Sequence, residues 1–351
     1  MQSTSNSQGP HLSWPEDGLE PVPNCPVCGA STRELLHEAL TDRVFFCAPG
    51  KWNMFRCESC SSAYLDPRPS PETIGLAYQR YFTHNEVPEF SSLSFLGKLR
   101  RRFSNGYRNH HYGTRDYPAS KLGILAVGLM PNRRAIIDAG MRHLPKVKAG
   151  ERLLDLGCGN GAFLSRAHSA GWDVVGADFD PKAVEAACSQ GLDVRLGGVE
   201  ELDPADGQFD VITLAHVIEH VYYPMKTLQA CLRLLKPGGF LWIETPNIEA
   251  EGHRLFGENW RGLEPPRHLV LFTLESMCNA LTTVGFSDVK IQPYRPLCDG
   301  IFSASKAITE GIDPYSEPNS NRVTSTVKKA ERIARCDPSR REFITVKAWK
   351  K

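Results

Sequence analysis

The chain has 351 residues, with 41 Lys and Arg against 40 Asp and Glu, a hydrophobic fraction of 41% and a charged fraction of 23%. These are the values of a globular chain long enough for one large domain and a smaller one, and they lack the basic excess of a general nucleic-acid binder. No apolar run approaches the ~18 residues that span a bilayer. The first twenty residues hold no apolar core of a secretory signal, so the 11 cysteines fit a reducing, cytoplasmic compartment, as thiols or metal ligands.

Residues 1–20, rich in Ser, Pro, Gln and Asn, read as a disordered tail. Cys25-Pro26-Val27-Cys28 and Cys57-Glu58-Ser59-Cys60 then form two C-x-x-C pairs. Two such pairs predict knuckles that give four thiolates to one tetrahedral, structural zinc, within a ribbon over residues 21–66. The gap between them exceeds the usual ~15–20 residues, leaving room for a hairpin with strands at 44–46 and 52–56. Cys47, between the pairs, reads as a packing residue. Residues 67–148 open on the stiff Asp66-Pro67-Arg68-Pro69-Ser70-Pro71 connector, with a helix expected through Tyr78. Helical stretches follow at 90–103, 121–130 and 133–144. The plain expectation is a helical cover over the next domain. The alternative is an amphipathic basic segment, with Arg100-Arg101-Arg102 beside Phe95, Leu96 and Leu99, that touches a membrane surface or a lipid-linked substrate.

Residues 149–351 alternate strand and helix, which predicts an α/β, doubly wound, largely parallel (Rossmann-like) sheet. Strands are expected at 152–156, 172–177, 192–196, 209–214, 240–243 and from 289. Helices are expected at 161–170, 181–190, 224–235 and 273–284. Residues 297–340 read as an irregular insertion holding one basic helix (323–334), and 342–348 as a terminal edge strand. The first strand runs through Asp155 into Gly157-Cys158-Gly159-Asn160-Gly161. A strand, a glycine loop and a helix form the nucleotide site of open α/β sheets. The G-x-G-x-G spacing differs from the G-x-G-x-x-G that seats a pyrophosphate.

Four stretches, LLDLGCGNGAF (153–163), VVGADFDP (174–181), FDVITLAHVIEHV (209–221) and LKPGGFLWIETPN (235–247), resemble those of class I S-adenosylmethionine-dependent methyltransferases, in family order. The likeness is greatest to ubiquinone-type O-methyltransferases and sugar methyltransferases; YLDPRPSPE (64–72) and FGENWRGLEPPRHLVLF (256–272) resemble the sugar branch. The resemblance implies a seven-stranded sheet with S-adenosylmethionine over Gly157, Cys158, Gly159 and Gly161. It also implies Asp155 toward the cofactor ammonium, Asp178 on the ribose hydroxyls, Phe179 on the adenine, Val199 and Glu200 at the adenine edge, and His216 facing the cofactor.

The implied reaction moves a methyl group to a small-molecule acceptor, most simply a hydroxyl (or a carbon or amine) of a sugar or glycoconjugate precursor. A hydroxyl must lose its proton, a task suited to histidine near neutral pH. His220 is the expected base, oriented by Glu219, with His268 the second candidate. His216-Val217-Ile218-Glu219-His220 also matches an inverted zinc-protease pattern, but it follows a strand where that pattern requires a helix. Tyr222, Tyr223, Asn247, Trp260 and Arg267 are candidate substrate contacts. An RNA methyltransferase with a zinc ribbon is the alternative; the neutral charge and the lack of an aromatic, basic sheet face speak against a nucleic-acid partner.

Overall fold

The computed structural model describes residues 13–79, 94–199, 202, 208–315 and 324–351. Structure begins within the stretch expected as tail. Trp14 is buried edge-on against Trp52, its indole donates to the Gly18 carbonyl, and β1 (Leu19–Glu20) pairs with β5 (Arg68–Pro69). Between these lie β2 (Arg33–Leu40), β3 (Trp52–Cys57) and β4 (Ala63–Leu65). The expected strand at 44–46 does not form. Residues 42–48 wrap around Asp42 instead, whose carboxylate accepts the backbone N–H groups of Val44, Phe45, Cys47 and Ala48. β3 pairs instead with β4 and with β2, whose mixed polar sequence shows no alternation. A 3₁₀ turn at Ile74–Tyr78 stands where a helix was expected.

Helices α1 (Phe95–His111), α2 (Gly123–Gly128) and α3 (Pro131–Gly140) form the cover. Tyr107 and Tyr112 donate to Asp138, tying α1 to α3. The chain then winds through β6 (Arg152–Leu156), α4 (Ala162–Ser169), β7 (Asp173–Asp178), α5 (Pro181–Cys188), β8 (Asp193–Leu196), β9 (Phe209–Ala215), α6 (Pro224–Leu234) and β10 (Leu235–Pro246). It continues with α7 (Glu251–Phe256), β11 (Val270–Leu271), α8 (Leu274–Val284), β12 (Ser287–Ile291), α9 (Cys298–Thr309), α10 (Thr324–Cys336) and β13 (Phe343–Trp349). Among the described residues the large sheet has seven strands in the order β12-β13-β10-β9-β6-β7-β8. The five from β10 to β8 are parallel. Apolar runs such as Leu153, Leu154, Val211 and Ile212 are buried on both faces, as inner parallel strands require.

Two expectations change here. β13 is not an edge strand: it lies antiparallel between β10 and β12. The described residues of the 297–340 stretch (297–315 and 324–340) are not irregular, because α9 buries Phe302 against Phe256 and packs on α10. The ribbon is also joined to the sheet domain, since β11 adds the outer strand of a small sheet ordered β11-β4-β3-β2.

Candidate functional site

The order of the large sheet reverses between β6 and β9, and the crevice outside the carboxyl ends of strands at such a point is where open α/β folds bind ligands. Three elements converge on it. The first is the glycine loop. Gly157, Gly159 and Gly161 have φ of +64°, +54° and +78°. A Cβ on Gly157 would lie 2.4 Å from Val217, so only glycine lets the loop press against the turn after β9. A Cβ on Gly159 would meet nothing within 4 Å, so this point of the loop faces open space. Asp178, at the end of β7, accepts Gly159 N–H on Oδ2 (2.8 Å) and Asp180 N–H on Oδ1 (2.9 Å). Phe179 beside it is exposed, Cys158 and Val199 are buried, and Glu200 lies outside the described residues.

Asp155 differs from expectation. It is fully buried, and its Oδ1 accepts from the Arg142 guanidinium and from the Thr213 hydroxyl (2.9 Å), while Oδ2 has no partner. Burial pushes its carboxyl up and the Arg142 charge opposes this. Arg142 lies 3.7 Å over the Phe163 ring centroid, delivered by a left-handed pair, Arg142 and His143, after α3. Nothing in the sequence around it signals that role.

The third element is the turn after β9. His216 is left-handed (φ +56°) and lies between two carboxylates, with Nδ1 3.3 Å from Glu219 and Nε2 3.6 Å from Glu244. Burial opposes its charge, but the two carboxylates outweigh it and raise the imidazole to about 9. Glu244, also bound by Arg295 and Thr345, is held down to about 2 against the opposing effect of burial. Its signal was available as a carboxylate ending the apolar run of LKPGGFLWIETPN. Arg295, in a loop far along the chain, had none. Glu219 is fully buried and takes a hydrogen bond from Thr245 (2.9 Å).

Glu219 does not hydrogen-bond His220, contrary to the expected orientation. His220 Nδ1 lies 3.0 Å from both the Arg267 carbonyl and the Tyr78 hydroxyl. The ring of His268 stands 4.8 Å from that of His220, and its Nδ1 donates to the Gly262 carbonyl (2.8 Å). Burial pushes His268 down to about 4, so it is neutral at physiological pH. Donor atoms of Glu219, His220 and His268 lie within 4.8 Å of one another.

Three candidate substrate contacts are structural. Arg267 is fully buried and paired with Asp42 and Glu264, the Trp260 indole donates to Glu342, and Asn247 is buried and donates to the Ser339 and Arg341 carbonyls. Tyr222 donates to the Pro69 carbonyl, whereas Tyr223 is exposed.

Away from the crevice, the sulfurs of Cys25, Cys28, Cys57 and Cys60 also lie within 4.8 Å of one another. The two knuckles repeat one geometry. Gly29 N–H donates to Cys25 O and Ser61 N–H to Cys57 O, both donors left-handed. Cys47 stays outside the cluster, its thiol donating to the Ala77 carbonyl.

Residues 131–291 match a family model described as a methyltransferase domain. Similar curated proteins are the ubiquinone biosynthesis O-methyltransferases of Thiobacillus denitrificans, 35% identical over 114 residues (30% of this chain, 49% of that one), and Xanthomonas oryzae, 40% identical over 106 residues (28% and 44%). The chain therefore carries a methyltransferase domain over residues 131–291. It spans about half the length of the curated relatives it matches. A crystal structure of an S-adenosylmethionine-dependent methyltransferase from Archaeoglobus fulgidus is similar at 22% identity, covering 67% of this chain and 100% of that one, with a TM-score of 0.44.

Proposed function

We propose that this methyltransferase domain transfers a methyl group from S-adenosylmethionine to a hydroxyl oxygen of a small-molecule acceptor. The observation that carries the reading is the His220–His268 pair with buried Glu219, on the turn that Gly157 presses against. The cofactor, when bound, supplies a sulfonium-activated methyl; bond formation at the acceptor oxygen accompanies cleavage of the carbon–sulfur bond. This chain's residues then have two tasks, alignment and proton removal. A proton on His220 Nδ1, donated to the Arg267 carbonyl, leaves the Nε2 lone pair as the base, with His268 beside it as a neutral relay. His216, protonated between Glu219 and Glu244, keeps a fixed positive charge at the mouth of the site.

The residues fit the cofactor. Gly159 leaves open space, Asp178 retains lone pairs for ribose hydroxyls beside exposed Phe179, and the Arg142 guanidinium suits the methionine carboxylate. The sequence favours a sugar or glycoconjugate hydroxyl, and the curated relatives are named for O-methylation in ubiquinone biosynthesis. Assaying phenolic and sugar hydroxyl acceptors side by side separates these classes. His220→Ala should lower kcat far more than it weakens cofactor binding; wild-type kcat would remove it as the base.

A second reading is favoured by the convergence of Glu219, His220 and His268, whose donor set also suits a divalent cation that polarises the acceptor hydroxyl. Loss of activity on dialysis against a chelator, restored by a divalent metal with the ribbon intact, would select it. The four-cysteine cluster we assign to a structural zinc. Its cross-pair sulfur distances of 3.5 and 3.6 Å approach the roughly 3.8 Å of tetrahedral ligands with Zn–S near 2.3 Å. None of the eleven cysteines forms a disulfide, which supports a reducing cytoplasmic setting.

A further inference from the structure

Among the described residues, 10 of the 19 exposed large apolar side chains lie between positions 95 and 136. They include Phe95 (80% exposed), Leu96 (68%), Leu122 (70%), Leu125 (67%) and Leu129 (75%). These helices are not loosely attached. A Cβ on Gly106 would lie 1.8 Å from the Ser120 carbonyl and one on Gly123 would lie 2.1 Å from that of Phe103, so the two segments touch backbone to backbone. Tyr107, Tyr112 and Val127 are buried in the core beneath. The unit therefore has one apolar side packed against the domain and presents further apolar side chains outward.

Charge is concentrated in the same place. Residues 94–136 hold nine Lys and Arg and a single acid, Asp116, while the other residues hold 32 basic and 39 acidic side chains. A net +8 thus sits on a chain whose total is +1. Asp116 is bound by Arg108, and Arg100, Arg102, Arg115 and Lys121 are exposed.

We propose that the α1–α2 unit is a docking surface for an anionic phospholipid bilayer, with Phe95, Leu96, Leu125 and Leu129 at the acyl boundary and the cations at the phosphates. Exposed apolar area combined with a strong local basic excess is the requirement for in-plane binding to such a surface. A second copy of the chain fits poorly, because a two-fold contact would set this basic patch against itself. RNA fits poorly as well: a single-strand platform stacks bases on aromatic rings, and eight of the ten exposed side chains are aliphatic. Among the described residues no helix is long and apolar enough to cross the bilayer, so docking here is peripheral.

The test is co-sedimentation of the full chain with vesicles of phosphatidylcholine alone and of equal parts phosphatidylcholine and phosphatidylglycerol. Binding should require phosphatidylglycerol and weaken with salt. It should fall by about tenfold or more in the double variants Leu125→Glu with Leu129→Glu, and Arg100→Glu with Arg102→Glu. All four side chains are exposed, so melting temperatures should match the wild type. No binding to the phosphatidylglycerol vesicles at low salt, or variants that bind as well as wild type, would overturn the proposal. So would a dimer by light scattering that Leu125→Glu with Leu129→Glu dissolves while vesicles stay unbound, or tighter binding to a single-stranded RNA probe than to vesicles.

Discussion

Replacing Arg267 with methionine tests how the ribbon and the methyltransferase domain share one site. The guanidinium is fully buried, donates twice to Asp42 (2.6 and 3.1 Å), once to Glu264 (3.0 Å) and once to the Ala77 carbonyl (2.9 Å). Asp42 belongs to the ribbon side and Glu264, which also pairs with Arg261, to the domain, so one cation bridges the two. Methionine fills similar volume but leaves a buried carboxylate unpaired, which costs about 3–5 kcal/mol. Unfolding entropy near 2.1 cal/mol/K per residue gives about 0.7 kcal/mol/K for 351 residues, so the melting temperature should fall by about 4–7 °C. Scanning calorimetry measures this directly. The Arg267 carbonyl also holds His220, so kcat should drop while cofactor affinity changes little. Arg267→Lys, which keeps the charge and loses the fork, should lie between. A fall of less than about 1 °C would show that the ion cluster is not what joins the two parts.

Asp178→Ala should weaken S-adenosylmethionine binding by about 1.5–3 kcal/mol, tenfold or more, in titration calorimetry; unchanged affinity would refute its ribose role. Metal analysis should find one zinc per chain, lost in Cys25→Ser together with part of the thermal stability; a zinc-free, fully folded wild type would remove the assignment. His216 is raised from 6.5 unfolded to about 9 folded. Its contribution to stability is therefore complete below the lower value and lost as pH rises through the higher. The gap in denaturation midpoint between wild type and His216→Gln should narrow over that interval; a gap that widens would contradict the ion pairing. Because His216 is partly exposed, solvent screening moderates the effect.

The alternating core was legible because the inner parallel strands β6, β7 and β9 are short, largely apolar runs and several helices carry their own start or stop. The Thr273–Ser276 capping box at α8 and Gly285 beyond its end show this directly. The glycine loop was legible for the same local reason. The ribbon strands were not: β2 is mixed in polarity, and Asp42 captured a stretch that looked like a strand. Orientation within the site was also hidden, since the partner of His220 Nδ1 is a carbonyl forty-seven residues away rather than its neighbour Glu219.

By itself the sequence determined the fold class, the glycine loop, Asp178 and the four paired cysteines, because each depends on residues close together in the chain. Only the tertiary structure decided that Arg142 covers Asp155, that His216 rather than His220 forms the ion pair with Glu219, that Arg267 is a strut, and that α1 and α2 leave an apolar, basic face outward. Those outcomes depend on which distant groups meet in a buried space, where a charge must find its partner wherever the fold brings one.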